Sequence, residues 1–461
     1  MTFTVPTGAA VSTDAFAELA SALPGQVVLP TDAAYDTDRL GFALAVDQRP
    51  TAVVHVQDAQ DVVTAVRFAV RHGMTVTVQP IGHGATRASN GTVLLRTRGI
   101  SHIHVDPEQQ VARVGAGVKW GELLAVAGPL GLTGLAGSNS DPSVAGFCLS
   151  GGLSWFSRKH GVAAHSIRAV EIVDPQGELR VVTADSDPDL FWAVRGAGGD
   201  FGVVTAIEVQ LYPAEQLYGG RIMWPLEMAR PVLRAFHAIS ANAPDELTTW
   251  AHLLRFPPVP FLPEPIRGKN FVSVEFTYLG SAEEAEALIA PLRELPAVAI
   301  DATGAVPVAN LSGICQEPTD PIPTIEWSRL LTGLDVTDLD RLVDAAGADA
   351  PNALTIIQLR HLGGELARGS AAQGPNAAIE EDYLVFCLGV PMVPELVPAI
   401  QGSIAAVQQA LAGRLSERTF YTFLSADADV TRAFSAESLE RLRRVKAEHD
   451  PNRVFRSNRP I

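Results

Sequence analysis

His83 is the first residue whose surroundings point to chemistry, because Gly82 and Gly84 strip the side chains from both of its neighbours. In the run Pro80, Ile81, Gly82, His83, Gly84, Ala85, Thr86 the glycines let successive backbone N–H groups turn toward one point. That forms a concave anion site of the kind that holds a pyrophosphate, with an imidazole beside it. A tight turn carrying a hydrogen-bonded histidine needs the same residues. Two more glycine-dense loops follow, Ser150 to Trp155 (SGGLSW) and Arg195 to Thr205 (RGAGGDFGVVT). Each alone also fits a turn, but three such loops between strands suggest one extended ligand lying against backbone.

The elements that must hold these loops follow from periodicity. Thr51 to Val56 reads as a strand, Ala59 to His72 as an amphipathic helix, and Val76 to Val78 and Val93 to Leu95 as strands flanking the first loop. Asp14 to Ala22 has helical spacing. A strand at Gln110 to Val114 runs into Gly115 to Gly128, whose glycines turn the chain before a short helix. Between the second and third loops lies a hairpin, Ala169 to Val173 and Glu178 to Thr183, turning at Pro175 to Gly177. Beyond Tyr212 the character changes. Gln216 to Pro225, Leu247 to Phe256, Phe271 to Leu279 and Ala353 to Leu362 read as strands, with helices at Glu283 to Leu292 and Leu396 to Leu411. The proline-rich stretch Phe256 to Ile266 reads as a loop inside this second α+β unit.

A chain of 461 residues is too long for one ordinary core, so two domains are expected. Hydrophobic residues make up 47% and charged ones 19%, with 39 Gly and 32 Pro, which describes a globular protein rich in turns rather than a disordered one. A formal net charge of −16 repels polyanions, which excludes nucleic acid and anionic membrane surfaces as natural partners and favours a small molecule. Cys148, Cys315 and Cys387 form no Cys-x-x-Cys pair and no disulfide framework, so reduced thiols and a cytoplasmic location are expected. The first residues lack a basic segment followed by a long apolar run, and no stretch of 18 apolar residues occurs. His102 and His104 share one face of a strand, but no further ligand cluster accompanies them, so no metal is expected.

PIGHGAT around His83, SGGLSWFSRKHGV, DPDLFWAVRGAGGDFGVVT and RLRRVKAEHDPNRVFRSNRPI together resemble the FAD-linked oxidases of the vanillyl-alcohol oxidase superfamily, in the berberine-bridge-enzyme-like branch. The resemblance covers nearly the whole chain. It implies an α+β, two-domain FAD-binding fold of the p-cresol methylhydroxylase type. Residues 1–212 and 415–461 would bind FAD, and an antiparallel substrate-domain sheet within 213–414 would cover the flavin.

Carried over position by position, the resemblance makes His83 the attachment point of the flavin 8α-methyl group and Pro80 to Thr86 the pyrophosphate loop. Many relatives add a second link through a Cys-Pro-x-Val sequence. Here it reads Asp141-Pro142-Ser143-Val144, so a thioether is excluded and single attachment is expected. Val144 matches the position where relatives that use oxygen carry a valine. Gly146, Ser150, Gly151, Gly152, Leu153, His165, Gly202 and Val204 match positions lining FAD, and Asn458 matches an asparagine near its ring. Cys148 reads as a small buried filler.

The implied reaction is that of a flavin oxidase, removing two electrons from an alcohol, hemiacetal or related carbon of a small organic or secondary-metabolite substrate and passing them to O2 to give H2O2. A FAD dehydrogenase using another acceptor, and a redox-neutral FAD-binding protein, remain open beside it. The implied partners are substrate and O2, with a monomer or homodimer. Such chemistry usually needs a base for the hydroxyl proton. Arg360 stands where relatives often present an acid or tyrosine just before Gly-Gly. A guanidinium stays protonated, so Arg360 is read as a substrate anchor, with Gln358 on the same strand face. A second family position, the first tyrosine of a Tyr-x-Asn segment, falls on Phe420, with Tyr421 beside it and Thr422 in place of the asparagine. The proton then goes to Tyr421, helped toward ionisation by the charge of Arg360, to a water, or to no positioned group. Tyr383 and His361 are lesser alternatives.

Overall fold

A computed structural model describes residues 13–260, 262–376 and 378–461. Residues 1–12, on which the expectation of no export signal rests, and Phe261 of the proline-rich loop lie outside the described residues.

The His83 loop is carried by a four-stranded sheet in the order Val27–Val28, Ala52–His55, Val93–Arg96, Val76–Val78, in which the two pairings made by Val93–Arg96 are parallel. Helix Ala59–Arg71 covers it. The Asp58 side chain accepts from the Asp61 N–H at 2.9 Å to cap its first turn, and Val62, Ala65, Val66 and Ala69 form the buried stripe. The far edge of this sheet is finished from a distant part of the chain. The Val76 N–H donates to the Val454 carbonyl at 2.8 Å and the Arg456 N–H donates to the Val76 carbonyl at 2.9 Å.

A second, antiparallel sheet runs Ile103–Asp106, Val111–Gly115, Val203–Gln210, Ile167–Val173, Leu179–Val182. Its hairpin turns at Asp174, which accepts from the Gln176 and Glu178 amides, with Gly177 at φ +72°. Val203–Gln210 leaves the third glycine loop directly. Trp120, Leu123, Val170 and Ile207 build the core, and helix Ala436–His449 returns to it with Leu442 and Val445.

The third sheet has eight strands, all antiparallel, with the path Ile300–Asp301, Leu217–Pro225, Asn270–Leu279, Leu247–Arg255, Ile356–His361, Tyr383–Gly389, Ile325–Leu331. On one face Ile222, Val274, Ala251 and Leu359 meet Phe236, Leu342 and Val407 from helices Ala229–Ser240, Val336–Ala346 and Val397–Ala410. On the other face, two rows run across the strands. Arg221, Glu275, Trp250 and Arg360 are register neighbours in one row, and Ser273, His252, Gln358 and Phe386 in the next.

This is the expected α+β class with antiparallel sheets. Strands Ile103–Asp106, Val203–Gln210, Ile325–Leu331 and Tyr383–Gly389 were among those not anticipated. The helix expected over Glu283 to Leu292 is two pieces, Ala282–Leu288 and Ala290–Arg293. Pro291 has no N–H to give the carbonyl four residues back, and the break falls at Ile289.

The glycine-loop unit is locked to the third sheet. Trp155 stacks on Trp250 with centroids 3.5 Å apart and planes 15° apart. Buried Arg158 donates to the carbonyls of Leu247 (2.8 Å), Ala243 (3.0 Å) and Pro244 (3.2 Å), and to that of Leu362.

Candidate active site

Between the glycine loops and the polar face of the third sheet lies a cavity of about 890 Å³, within the range of small-molecule and cofactor sites. One wall is largely backbone. Pro80 to Gly84, Gly146, Ser150, Leu153, Gly198, Gly199, Gly202, Val204 and Asn458 all line it. Gly82 sits at φ +93°, and a Cβ there would stand 2.6 Å from the Gly41 Cα, so the loop tolerates no side chain at this crossing. The amides of Ile81, Gly82, His83 and Gly84 have no protein acceptor among the described residues. A row of free N–H groups on a cavity wall suits a bound phosphate, so the residues present fit FAD.

His83 is held on two sides. The Phe42 ring stacks on the imidazole at 3.9 Å and 19°. Its Nε2 lies 2.8 Å from Asp141 Oδ2, and the Lys119 ammonium donates to the other carboxylate oxygen. Burial raises the Asp141 pKa, but the bonds from His83 and Lys119 outweigh it and hold the carboxyl below its usual range.

The opposite wall is made of side chains. Arg360 is 4% exposed, and its guanidinium carbon sits 3.9 Å from the Trp250 ring centre and 4.8 Å from that of Phe423. Its Nε donates to Gln358 Oε1 at 2.6 Å, and no carboxylate pairs with it among the described residues. Burial lowers its pKa while leaving an arginine charged. One row over, His252 Nδ1 stands 3.2 Å from Glu275 Oε1, both side chains being buried. Glu275 also accepts from the Cys315 thiol at 2.7 Å and has Arg221 at 3.7 Å. Burial raises the Glu275 pKa, and His252, Arg221 and Cys315 together bring it below the ordinary carboxylate value. The Nε2 of His252 has no partner among the described residues.

Residues 50–183 match the FAD binding domain family and residues 419–461 the family described as berberine and berberine like. Over 460 residues the chain is 27% identical to (R)-6-hydroxynicotine oxidase of Paenarthrobacter nicotinovorans, covering 95% of this chain and 96% of that one. The solved 6-hydroxy-D-nicotine oxidase from Arthrobacter nicotinovorans superposes with a TM-score of 0.78 at 24% identity, over 94% of this chain and 97% of that one. Physcomitrella patens BBE-like 1 gives 0.82 at 18% identity, over 96% and 98%.

The chain therefore carries a FAD binding domain and, at its far end, a berberine-like segment.

It is a FAD-dependent oxidoreductase, and several of the expected site residues stand away from the cavity wall. Val144 is fully buried in the core below the second sheet, at the start of helix Val144–Leu149, and Ala145 and Gly146 take the cavity side. Val144 therefore does not line the cavity. Gly151 and Gly152 lie off the cavity wall, where positive φ and close approach of Asn376 and the Phe147 ring explain them. His165 is also off the wall, its Nε2 unpartnered, and burial beside Arg195 pushes its pKa down to about 4. Ala85 is buried behind the loop, and Thr86 braces it by donating to the Asn458 carbonyl. Cys148 is buried in the core, where burial pushes its thiol pKa up.

Tyr421 does reach the cavity, but not beside Arg360. It sits in the turn Tyr421–Phe423, with its hydroxyl 3.4 Å from the Arg459 carbonyl, and Phe423 is the residue stacked on Arg360. Burial, reinforced by Asp200 and opposed by Arg459, pushes its phenol up to about 12, so help from Arg360 is absent. Phe420 packs in a small core with Leu330 and Leu384. Tyr383 and His361 do not line the cavity. Among the described residues no group of three potential metal ligands occurs, and no helix is long and apolar enough to cross a membrane.

The His252–Glu275 pair was missed by sequence reasoning. The signal was there in FVSVEFTYL, where a glutamate interrupts an apolar strand and must be paired if buried.

Proposed function

We propose that this protein is a flavin oxidase that removes two electrons from the carbon of an alcohol, hemiacetal or related group, with O2 as acceptor and H2O2 as product; residues 1–212 and 415–461 would hold the FAD, linked through His83 alone. The substrate is a small organic molecule lying under the sheet of residues 213–414. The observation carrying this reading is one cavity with free loop amides on one wall and a row of buried polar side chains on the other. The overall likeness to a 6-hydroxynicotine oxidase supports a small organic substrate.

FAD bound there supplies the two-electron acceptor. The chain supplies binding and proton handling. Arg360, oriented by Gln358 and two aromatic faces, anchors an anionic or carbonyl-bearing part of the substrate. His252 borders the cavity with its Nε2 covered, and once substrate uncovers that nitrogen it takes the hydroxyl proton while Glu275 stabilises the imidazolium through Nδ1. Tyr421, held protonated, packs beside Arg459.

A panel of small alcohols and hemiacetals, with and without a carboxylate, tests this by anaerobic loss of flavin absorbance and aerobic peroxide formation. A substrate that bleaches the flavin anaerobically and yields peroxide in air is the expected result. A flavin that stays reduced in air would move the reading to a dehydrogenase. One that no substrate reduces would favour the redox-neutral reading, which the arginine at the usual position of the base also supports.

A further inference from the structure

We propose that Asp141 is the positioning residue that drives attachment of FAD to His83, an inference that rests on the histidyl link proposed above. Asp141 occupies the place where many relatives carry a second attachment cysteine, yet here it faces His83 directly. Its carboxylate is 6% exposed, accepts from His83 Nε2 at 2.8 Å, and is neutralised by Lys119. An acceptor-only carboxylate at Nε2 places the proton of a neutral imidazole on that nitrogen, which leaves the lone pair on Nδ1. The Phe42 stack and the Asp141 bond together hold the ring against rotation.

The chemistry balances with dioxygen as oxidant. Nδ1 forms a bond to the 8α-carbon while that methyl group loses a hydrogen as a proton, and the electron pair released reduces the isoalloxazine. Alkylation at Nδ1 makes the ring an imidazolium, which the Asp141 carboxylate stabilises through Nε2 until that proton leaves to solvent. Dioxygen then takes up the two electrons and two protons as H2O2, and the oxidised, covalently held flavin remains. Asp141 thus acts twice on one ring, first selecting the nucleophilic nitrogen and then stabilising the positive charge that bond formation places on it.

The test needs only FAD and air. Wild type, Asp141→Asn, Asp141→Glu and His83→Ala are purified, given excess FAD, and denatured at intervals. Flavin fluorescence of the denatured band and mass spectrometry of the His83 peptide are each expressed per flavin bound before denaturation, so only folded, loaded protein is counted. Asp141→Asn is expected to bind FAD but attach it about 100-fold more slowly, the scale of a positioned acid–base partner. Asp141→Glu should recover part of the rate and His83→Ala should attach none. If wild type attaches FAD and Asp141→Asn does so at the same rate, the role of Asp141 is overturned. If wild type itself releases all its flavin on denaturation, the His83 link fails, a distinguishable result. Should Asp141→Asn take up no FAD, Asp141→Ser is read in its place by the same criterion.

Discussion

On the His83 side of the cavity the wall is glycine and free amide, shaped by where backbone can approach backbone. On the Arg360 side it is arginine, tryptophan, histidine and glutamate, projecting from alternate positions of a sheet. In the first wall an added Cβ meets main chain at Gly82 and Gly202, and the wall serves a cofactor that does not change. The second is free to vary residue by residue while the strands beneath it stay paired, which lets one scaffold take different substrates. A change in the first wall should cost the cofactor, and a change in the second should spare it.

Gly82→Ala tests the first half of that contrast and should have the largest effect. A residue with a Cβ at φ +93° costs roughly 1–3 kcal/mol in backbone strain. Overpacking against the Gly41 Cα adds about as much again. Loss of bound flavin with a lowered melting midpoint is expected from absorbance and thermal scans, and full flavin occupancy would contradict it.

His252→Gln addresses the second wall. Flavin content should be unchanged while anaerobic flavin reduction slows by about 100-fold, the usual weight of a general base. Tyr421→Phe should leave that rate within about twofold, because its phenol is held protonated. Stopped-flow reduction of both variants separates them, and the opposite ranking would return the base to Tyr421.

Arg360→Met should raise KM about tenfold or more with a smaller change in kcat, the mark of uniform binding lost. Steady-state kinetics on a carboxylate substrate and its ester decides it, since equal KM changes for the two would remove the charge argument.

The smallest expected effect is on acid stability. Burial pushes His160 and His165 down to about 4 and His361 to about 3. The unfolded chain takes up these protons near the ordinary value of 6.5, so between the two values it binds more protons than the fold does. Stability is whole above about 6.5 and declines as pH falls through that window. His361→Gln should flatten the fall in melting midpoint between about pH 7 and pH 5, and an unchanged slope would exclude His361 as a contributor.

The same contrast explains what could be read in the sequence. Main-chain requirements leave glycine at fixed spacing, so the His83 loop, the Ser150 loop and the RGAGGDFGVVT run stand out from residue types alone. The period of helices and strands marked an α+β second unit, while the fold class came from the resemblance to the FAD-linked oxidases. Gly151, Gly152 and Val144 show the limit of that signal, since a glycine needed for positive φ and a valine needed for the core look the same in sequence as ones needed for a ligand. The sheet wall was harder. His252 and Glu275 are 23 positions apart, and only the antiparallel register of Leu247–Arg255 with Asn270–Leu279 brings them together. Strands Ile325–Leu331 and Tyr383–Gly389 were missed because runs such as YLVFCLG, which place large apolar residues on both faces, do not alternate cleanly.

The strand leading into the His83 loop is paired at Val76 by residues 454–456, and Gln79 donates to Asn458 across 379 positions of chain, while Arg459 reaches the Gly84 carbonyl at 3.2 Å. During synthesis, the loop therefore leaves the ribosome long before the segment that fastens it, and it cannot take its final shape until translation of residues 454–459 is over. Capture of the cofactor waits on that late segment, so a chain cut before residue 454 should leave the loop unfastened and hold FAD weakly.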